Sequence, residues 1–237
     1  KWNGDGGSGQ QSYGIQIHTD NKIYFSLSST GSDNNVWTSN NTYTDTNWHH
    51  LVGVGNTTNV TVYWDGVAAA GSGGSISTLF SSNSPLTTEY GGSNLFNGSI
   101  DEVLIYNRSL SASEIASLYN MQKTAYLTNN FANVTGLVGL YHLNNDSAYG
   151  ENDTRVYDFS RMGNNGSATG GVSGGGYGSG VDGTLTNLSL GKLRNAYSFD
   201  GISARINLSN GITLNTSAGM TLMAWINATA NQNSLKA

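Results

Sequence analysis

The chain reads as an all-β protein: a jelly-roll β-sandwich of two antiparallel sheets with one short helix. Three observations point there. Charged residues make up only 11% of the 237 positions and Gly supplies 32 of them, alongside abundant Asn, Ser and Thr. That composition suits turns, strand surfaces and loops rather than long helices. Apolar residues alternate with a period of two, as in Ile23, Phe25 and Leu27 or Val60, Val62 and Trp64, which marks core-facing positions on strands. A single stretch, beginning at Ser111, carries the punctuation of a helix start.

The elements follow in chain order. Strands are expected over residues 13–18, 22–28, 49–54, 59–64, 100–106, 137–143, 204–208 and 220–227, where β-branched and aromatic residues concentrate. Asp65-Gly66 supplies turn chemistry after the fourth of these. Phe96-Asn97-Gly98-Ser99 is a polar turn into the fifth, and Asn107-Arg108-Ser109 breaks it. A helix is expected over residues 111–119. Ser111 with Glu114 three residues later forms a capping box, and Ile115, Leu118 and Tyr119 fall on one face.

The stretch from Gly98 to Ile115 resembles the end of a laminin-G-like domain of the concanavalin-A-like lectin/glucanase superfamily, whose last strand and helix read G-x-I-D-E-V-x-I-Y-x-R-x-L-S-x-x-E-I. Residues 47–54 followed by 60–66 look like that family's central hairpin. Residues 136–143, 156–160 with 163–166, 196–201 and 220–227 are similar to the family's first half. The segment 121–136 and the glycine-rich insert at 170–183 fall outside the resemblance.

The closing pattern of the domain therefore precedes its opening pattern. The expected organisation is 1–120 as the C-terminal half of a laminin-G-like sandwich, 121–136 as a linker, and 137–237 as the N-terminal half, belonging to the same unit or completing a neighbouring one. Residues 231–237 running into 1–7 resemble a loop of the family, so Ala237 reads as a cut in a continuing sequence. Three arrangements account for this order: one period of a tandem array, a circular permutant, or halves exchanged between chains. Jelly-roll halves leave unpaired edges and an uncovered apolar face that need a partner. Equally, a short linker can join first and last strands that lie close together.

Composition narrows the function. Net charge is −5, and the 10 Lys plus Arg are scattered, which offers no phosphate-tracking patch, so nucleic acid is not an expected partner. No apolar run approaches the ~20 residues of a membrane span. The absence of cysteine rules out a disulfide scaffold and cysteine catalysis.

Asn-x-Ser/Thr acceptor signals are numerous. They occur at Asn40, Asn56, Asn59, Asn97, Asn107, Asn133, Asn145, Asn152, Asn165, Asn187, Asn207, Asn215 and Asn227. Chance pairing of these residue types would yield roughly 7. One reading is compositional bias. The other is a glycosylated exterior, in which bulky sugars solubilise a weakly charged surface outside the cell.

Catalytic signals are absent. Glucanases of the resembled superfamily set a carboxylate pair on one strand face in a Glu-x-Asp-x-(x)-Glu spacing. Here Glu89, Glu102, Glu114 and Glu151 do not fall in that arrangement, and adjacent Asp101 and Glu102 are expected on opposite faces of their strand. His49 and His50 diverge for the same reason, while His18 and His142 stand alone, so no zinc set emerges. The run Gly170 to Gly180 lacks the Lys-Ser/Thr ending of a phosphate loop. The protein is therefore not expected to be an enzyme.

Binding roles come from the resemblance. Relatives often hold a structural Ca2+ near a sheet rim through oxygen ligands, which implies Asp200 and Asp101 as metal ligands here. Trp2, Tyr13, Trp37 and Tyr43 are placed in or near loops, where lectin-like modules stack sugars. The expected function is a non-catalytic extracellular structural module, the building block of a glycosylated surface fibre or tandem array whose partners are copies of itself or adjacent repeats. The alternative is a carbohydrate-binding or adhesion module of a larger cell-surface protein, with glycans as partners.

Overall fold

The computed structural model describes residues 12–32, 35–82, 86–90, 94–123, 135–152, 154–169, 189–190, 192–193, 195–202, 204–208, 212, 214 and 218–229. The chain opens with β1 (Tyr13–Ile17), β2 (Ile23–Leu27), β3 (Asn35–Ser39), β4 (His49–Gly55), β5 (Val60–Trp64), β6 (Val67–Ala68) and β7 (Gly71–Ser72). The short strands β8 (Leu86–Thr87), β9 (Glu89–Tyr90) and β10 (Asn94–Leu95) precede the long β11 (Asn97–Tyr106) and the helix α1 (Ala112–Gln122). The second half supplies β12 (Leu137–Tyr141), β13 (Arg155–Val156), β14 (Gly166–Thr169), β15 (Ser189–Leu190), β16 (Asn195–Asp200), β17 (Arg205–Leu208) and β18 (Met220–Ala228).

All paired strands run antiparallel, as expected for this fold class. The main sheet runs β15-β16-β11-β18-β4-β5-β6, with β12 also on β11. Opposite it lie two four-stranded sheets, β1-β2-β3-β7 and β13-β14-β17-β8. Strands from the two halves of the sequence interleave: β18 lies between β11 and β4, aligning Ile100 with Ile226 and Leu51 with Ala224. On the other edge of β11, β16 pairs with its first part and β12 with its last.

Period-two alternation then sorts side chains to two sides of the main sheet. Its inner face packs Leu51, Val62, Ile100, Val103, Ile105, Leu222 and Ile226 against Phe25, Leu27, Ile206 and Leu208 of the facing sheets. The layers approach closely at β4: a Cβ on Gly53 would stand 2.6 Å from the Phe25 ring. Its outer face buries Val52, Leu104, Tyr106 and Met223 under Ile115 and Leu118 of α1.

Local chemistry fits these placements. Asp65 and Gly66 both take positive φ, 51° and 79°, the tight turn that joins β5 to β6. Ser111 Oγ accepts from the Glu114 N–H at 3.3 Å, and Glu114 Oε2 accepts from the Ser111 N–H at 2.8 Å, so the capping box is present. Arg108 adds a two-pronged ion pair to the same carboxylate, at 2.7 and 3.2 Å. The helix runs three residues beyond the expected Tyr119, because Gln122 finds a buried place on the sheet. Thr221 on β18 ties the strand to the turn before the helix, its hydroxyl donating to the Arg108 carbonyl and accepting from the Leu110 N–H, both at 2.9 Å. Several strands escaped the sequence reading. In β3 only Val36 and Trp37 are strongly strand-forming, and β14 is small and polar.

Gly53→Ala should lower stability by about 1–3 kcal/mol, because the added methyl meets a ring that has no room to move. Urea denaturation with an unchanged slope and an unchanged midpoint would contradict this close approach. Ser111→Ala should cost about 1 kcal/mol through loss of the cap, and the same titration reads it.

Candidate functional site

A strip of buried polar side chains crosses the outer face of the main sheet. Its origin is a bulge in β11. The register with β18 runs Asp101 to Trp225 and then Leu104 to Met223, which leaves one extra residue on β11, and Glu102 takes a positive φ of 51°. Ile100 and Val103 both face the inner core. The two acids between them are carried outward together. Adjacent Asp101 and Glu102 were expected on opposite faces, and the bulge overturns that expectation.

Asp101 is fully buried. Its Oδ2 accepts the Leu193 N–H at 2.9 Å, while Oδ1 has no partner among the described residues. Burial first, and the nearby Glu102 second, raise its carboxyl from about 3.8 to about 8. Glu102 is also fully buried, with Oε1 2.8 Å from Nδ1 of His142. Burial, reinforced by Glu151, holds the Glu102 carboxyl well above the usual carboxylate range. His142 lies on the Phe159 ring, with centroids 4.4 Å apart. Glu151 is raised by burial as well, against the pull of the Asp146 and Tyr157 N–H groups that it accepts.

The strip continues across the sheet. Asp101 stands opposite Trp225, and Trp225 opposite His50. Tyr119 stacks on Trp225 at 5.6 Å, and Lys192 Nζ lies 4.7 Å from the same ring. His50 has no exposure, and burial drops its ring from 6.5 to about 4, against the opposing influence of Asp65 and Gln122. At neutral pH the strip therefore holds a neutral His50 imidazole and a protonated Asp101, and burial pushes Glu102 and Glu151 in the same direction as Asp101. With Asp101 and Glu102 at 0% exposure, a polysaccharide has no route to them.

A second cluster lies where β4 begins. His49 Nδ1 is 2.8 Å from Asp65 Oδ2, and Nε2 is 2.6 Å from Asp45 Oδ1. Its ring stacks on Trp64 at 4.4 Å, and Tyr43 covers Trp64 at 4.3 Å. The hydrogen bond from His49 holds the Asp45 carboxyl below its ordinary value. The cluster pins the loop before β4 onto the β5–β6 turn.

The expected metal ligands occupy separate places. Asp200 stands opposite Asn97, four residues along β11 from Asp101, a separation of roughly 13 Å. Asp200 Oδ1 accepts the Ile202 and Ala204 N–H groups at 2.8 and 2.9 Å, which is a turn role. Among the described residues no three His, Asp or Glu side chains gather around a point that could hold an ion. Asp101 and Asp200 thus do not share one coordination sphere.

The aromatics divide differently from expectation. Tyr13 and Trp37 are core residues and Tyr43 backs Trp64, while Trp2 lies outside the described residues. Among the described residues the exposed aromatic is Tyr149, at 45%, packed edge-on against Phe159 and beside Tyr157. Of the acceptor asparagines, Asn40, Asn59 and Asn152 are exposed, and Asn56, Asn97, Asn107, Asn145, Asn165, Asn207 and Asn227 are half-buried. Asn133, Asn187 and Asn215, with the glycine-rich run, lie outside the described residues. The bulge had a signal in the sequence: apolar Ile100 and Val103 are spaced by three, which breaks the period of two.

Comparison with known proteins places part of this fold. Residues 3–116 match the laminin-G-like family model described as the concanavalin A-like lectin/glucanases superfamily. The match covers β1 to β11 and the first turn of α1, and ends before the second half. No curated protein and no solved structure matches the chain.

Asp101 contributes stability that is complete below the ordinary carboxylate range and lost as pH rises toward about 8. His50 does the reverse, its contribution being complete above 6.5 and lost as pH falls toward about 4. The two slopes oppose each other between those limits, so the decline should be seen on the alkaline side. Asp101→Asn should flatten that decline, by at most about 1.4 kcal/mol per pH unit, in melting curves taken from pH 6.5 to 8. A mutant that falls in parallel with the parent would contradict a protonated Asp101.

Proposed function

We propose that this chain, whose residues 3–116 belong to the concanavalin A-like lectin/glucanase superfamily, is a non-catalytic structural module of an extracellular surface assembly, joined to copies of itself or to adjacent repeats and decorated with glycans. The observation that carries the reading is the position of β18. The family-matching segment contains β4 and β11 but not the strand between them, so its main sheet is complete only when a strand from a second-half sequence enters that slot. A slot that takes a strand in one register is a joint, and the same joint serves within a chain, along a tandem array, or between chains. The sealed carboxyl groups on the outer face favour a structural role over hydrolysis.

The chain contains no cysteine, so introduced thiols report on this joint without background. Leu51→Cys in one copy and Ala224→Cys in another, co-expressed, should form a covalent dimer if β18 crosses between chains, because the two positions face each other. Light scattering should then show assemblies larger than one chain. A strictly monomeric protein, in which only the double variant closes a disulfide, would sink assembly by exchange.

A carbohydrate-binding role is the second reading, favoured by the exposed Tyr149 packed beside Tyr157 and Phe159. Binding to a glycan array should fall on Tyr149→Ala. Signals at background with and without calcium would remove this reading.

A further inference from the structure

We infer that Asn56 and Asn152 are attachment points for N-linked glycans, and that Asn227, which carries the same sequence signal, is not. The inference rests on the surface-exposed, glycan-decorated reading above and names which side chains carry the sugar. In the signals Asn56-x-Thr58 and Asn152-x-Thr154 the asparagine and threonine side chains share one hydrogen-bond pattern. Asn56 Oδ1 accepts the Thr58 N–H and the Thr58 hydroxyl, both at 2.9 Å, and the Asn59 N–H at 2.8 Å. Asn152 Oδ1 accepts the Thr154 N–H and hydroxyl, both at 2.8 Å. Backbone N–H groups can only donate, so they fix which end of each amide is oxygen. Nδ2 is then the end left over, and in both residues it makes no hydrogen bond among the described residues.

That division of labour is what a glycosylated asparagine needs. In the transfer, Nδ2 bonds to the anomeric carbon of a lipid-diphosphate-linked oligosaccharide, the bond from that carbon to the diphosphate oxygen breaks, and one Nδ2 proton leaves to solvent. Oδ1 and its donors are untouched, so the turn persists with the sugar attached. Both sites lie on connections rather than in the sheets: the β4–β5 turn, where Thr57, Thr58 and Asn59 are exposed, and the segment before β13, where Asn152 itself is exposed. Asn56 is half-buried at its base, and a bulky group on its Nδ2 would break no hydrogen bond among the described residues.

Asn227 is built the other way round. It sits on β18, half-buried, opposite Ser99 of β11, and its Nδ2 donates to the Thr46 carbonyl at 2.7 Å. The nitrogen that would carry the sugar is thus the one that fastens the loop before β4 to the central strand.

The test uses the full chain secreted behind a leader from an N-glycosylating yeast. The folded fraction is treated with an amidase in oxygen-18 water, which converts each occupied Asn to Asp carrying the heavy oxygen, and mapped by peptide mass spectrometry. Label is expected at positions 56 and 152 and not at 227. Thr58→Val and Thr154→Val should each abolish label at their own site, while Thr58→Ser and Thr154→Ser should retain it. An empty Asn56 or Asn152 in the parent, or an occupied Asn227 in folded protein, would overturn the assignment. Sugar-free protein from the native source, with label at both sites in yeast, would instead overturn the surface reading and leave the two sites standing.

Discussion

Everything in the sandwich depends on β18 lying between β11 and β4. Without it, two rows of backbone donors and acceptors would be left open in the middle of the main sheet, and each unpaired buried group costs about 1–3 kcal/mol. Both cores would open as well, since Met220, Leu222 and Ile226 fill the inner face and Met223 the outer one. The strand is also fastened at both ends. Thr221 holds the turn that leads into α1, and Asn227 holds the loop that leads into β4. Strands far apart in the chain thus arrive at one continuous sheet, because strand pairing reads register and not sequence distance.

The bulge at Glu102 follows from the same sheet. Absorbing one extra residue opposite β18 brings two neighbouring acids to one side, where helix and loop cover them. Burial keeps Asp101 protonated and His50 neutral and pushes Glu102 the same way as Asp101, which limits the charge buried in the strip. This is the cheaper of the two ways to bury a carboxyl, as an isolated ionised one costs far more than a neutral one. It also separates this strip from a hydrolytic site, whose acids must meet both substrate and water.

On the proposed reading, function concentrates where the fold meets other molecules. The proposed joint at β18, the exposed Tyr149 and the acceptor turns at Asn56 and Asn152 can meet other molecules, while the acids of the strip stay sealed. The His49 cluster, bracketed by Asp45 and Asp65 and stacked on Trp64, keeps the loop beside the joint in place.

Much of the fold was legible in the residues themselves. Alternation in Ile23, Phe25 and Leu27, the Asp65-Gly66 turn, and the Ser111–Glu114 cap are local signals, each set by backbone conformations within a few residues, and the structure contains each of them. Polar β3 and β14 were not legible, since their strands exist only because neighbours on both sides pair with them. The candidate site was less readable still. Ile100 and Val103 carried the bulge in their spacing, but that Asp101 meets Leu193, Glu102 meets His142, and Asp200 stands apart from both depends on pairings across 40 to 92 residues of chain. What the sequence determined alone was the local geometry of strand, turn and cap, because those energies are settled among near neighbours. Which acids share a face, which asparagine nitrogen is free, and which strand fills the slot were decided only by the tertiary structure, because burial and register arise from contacts that no short segment contains.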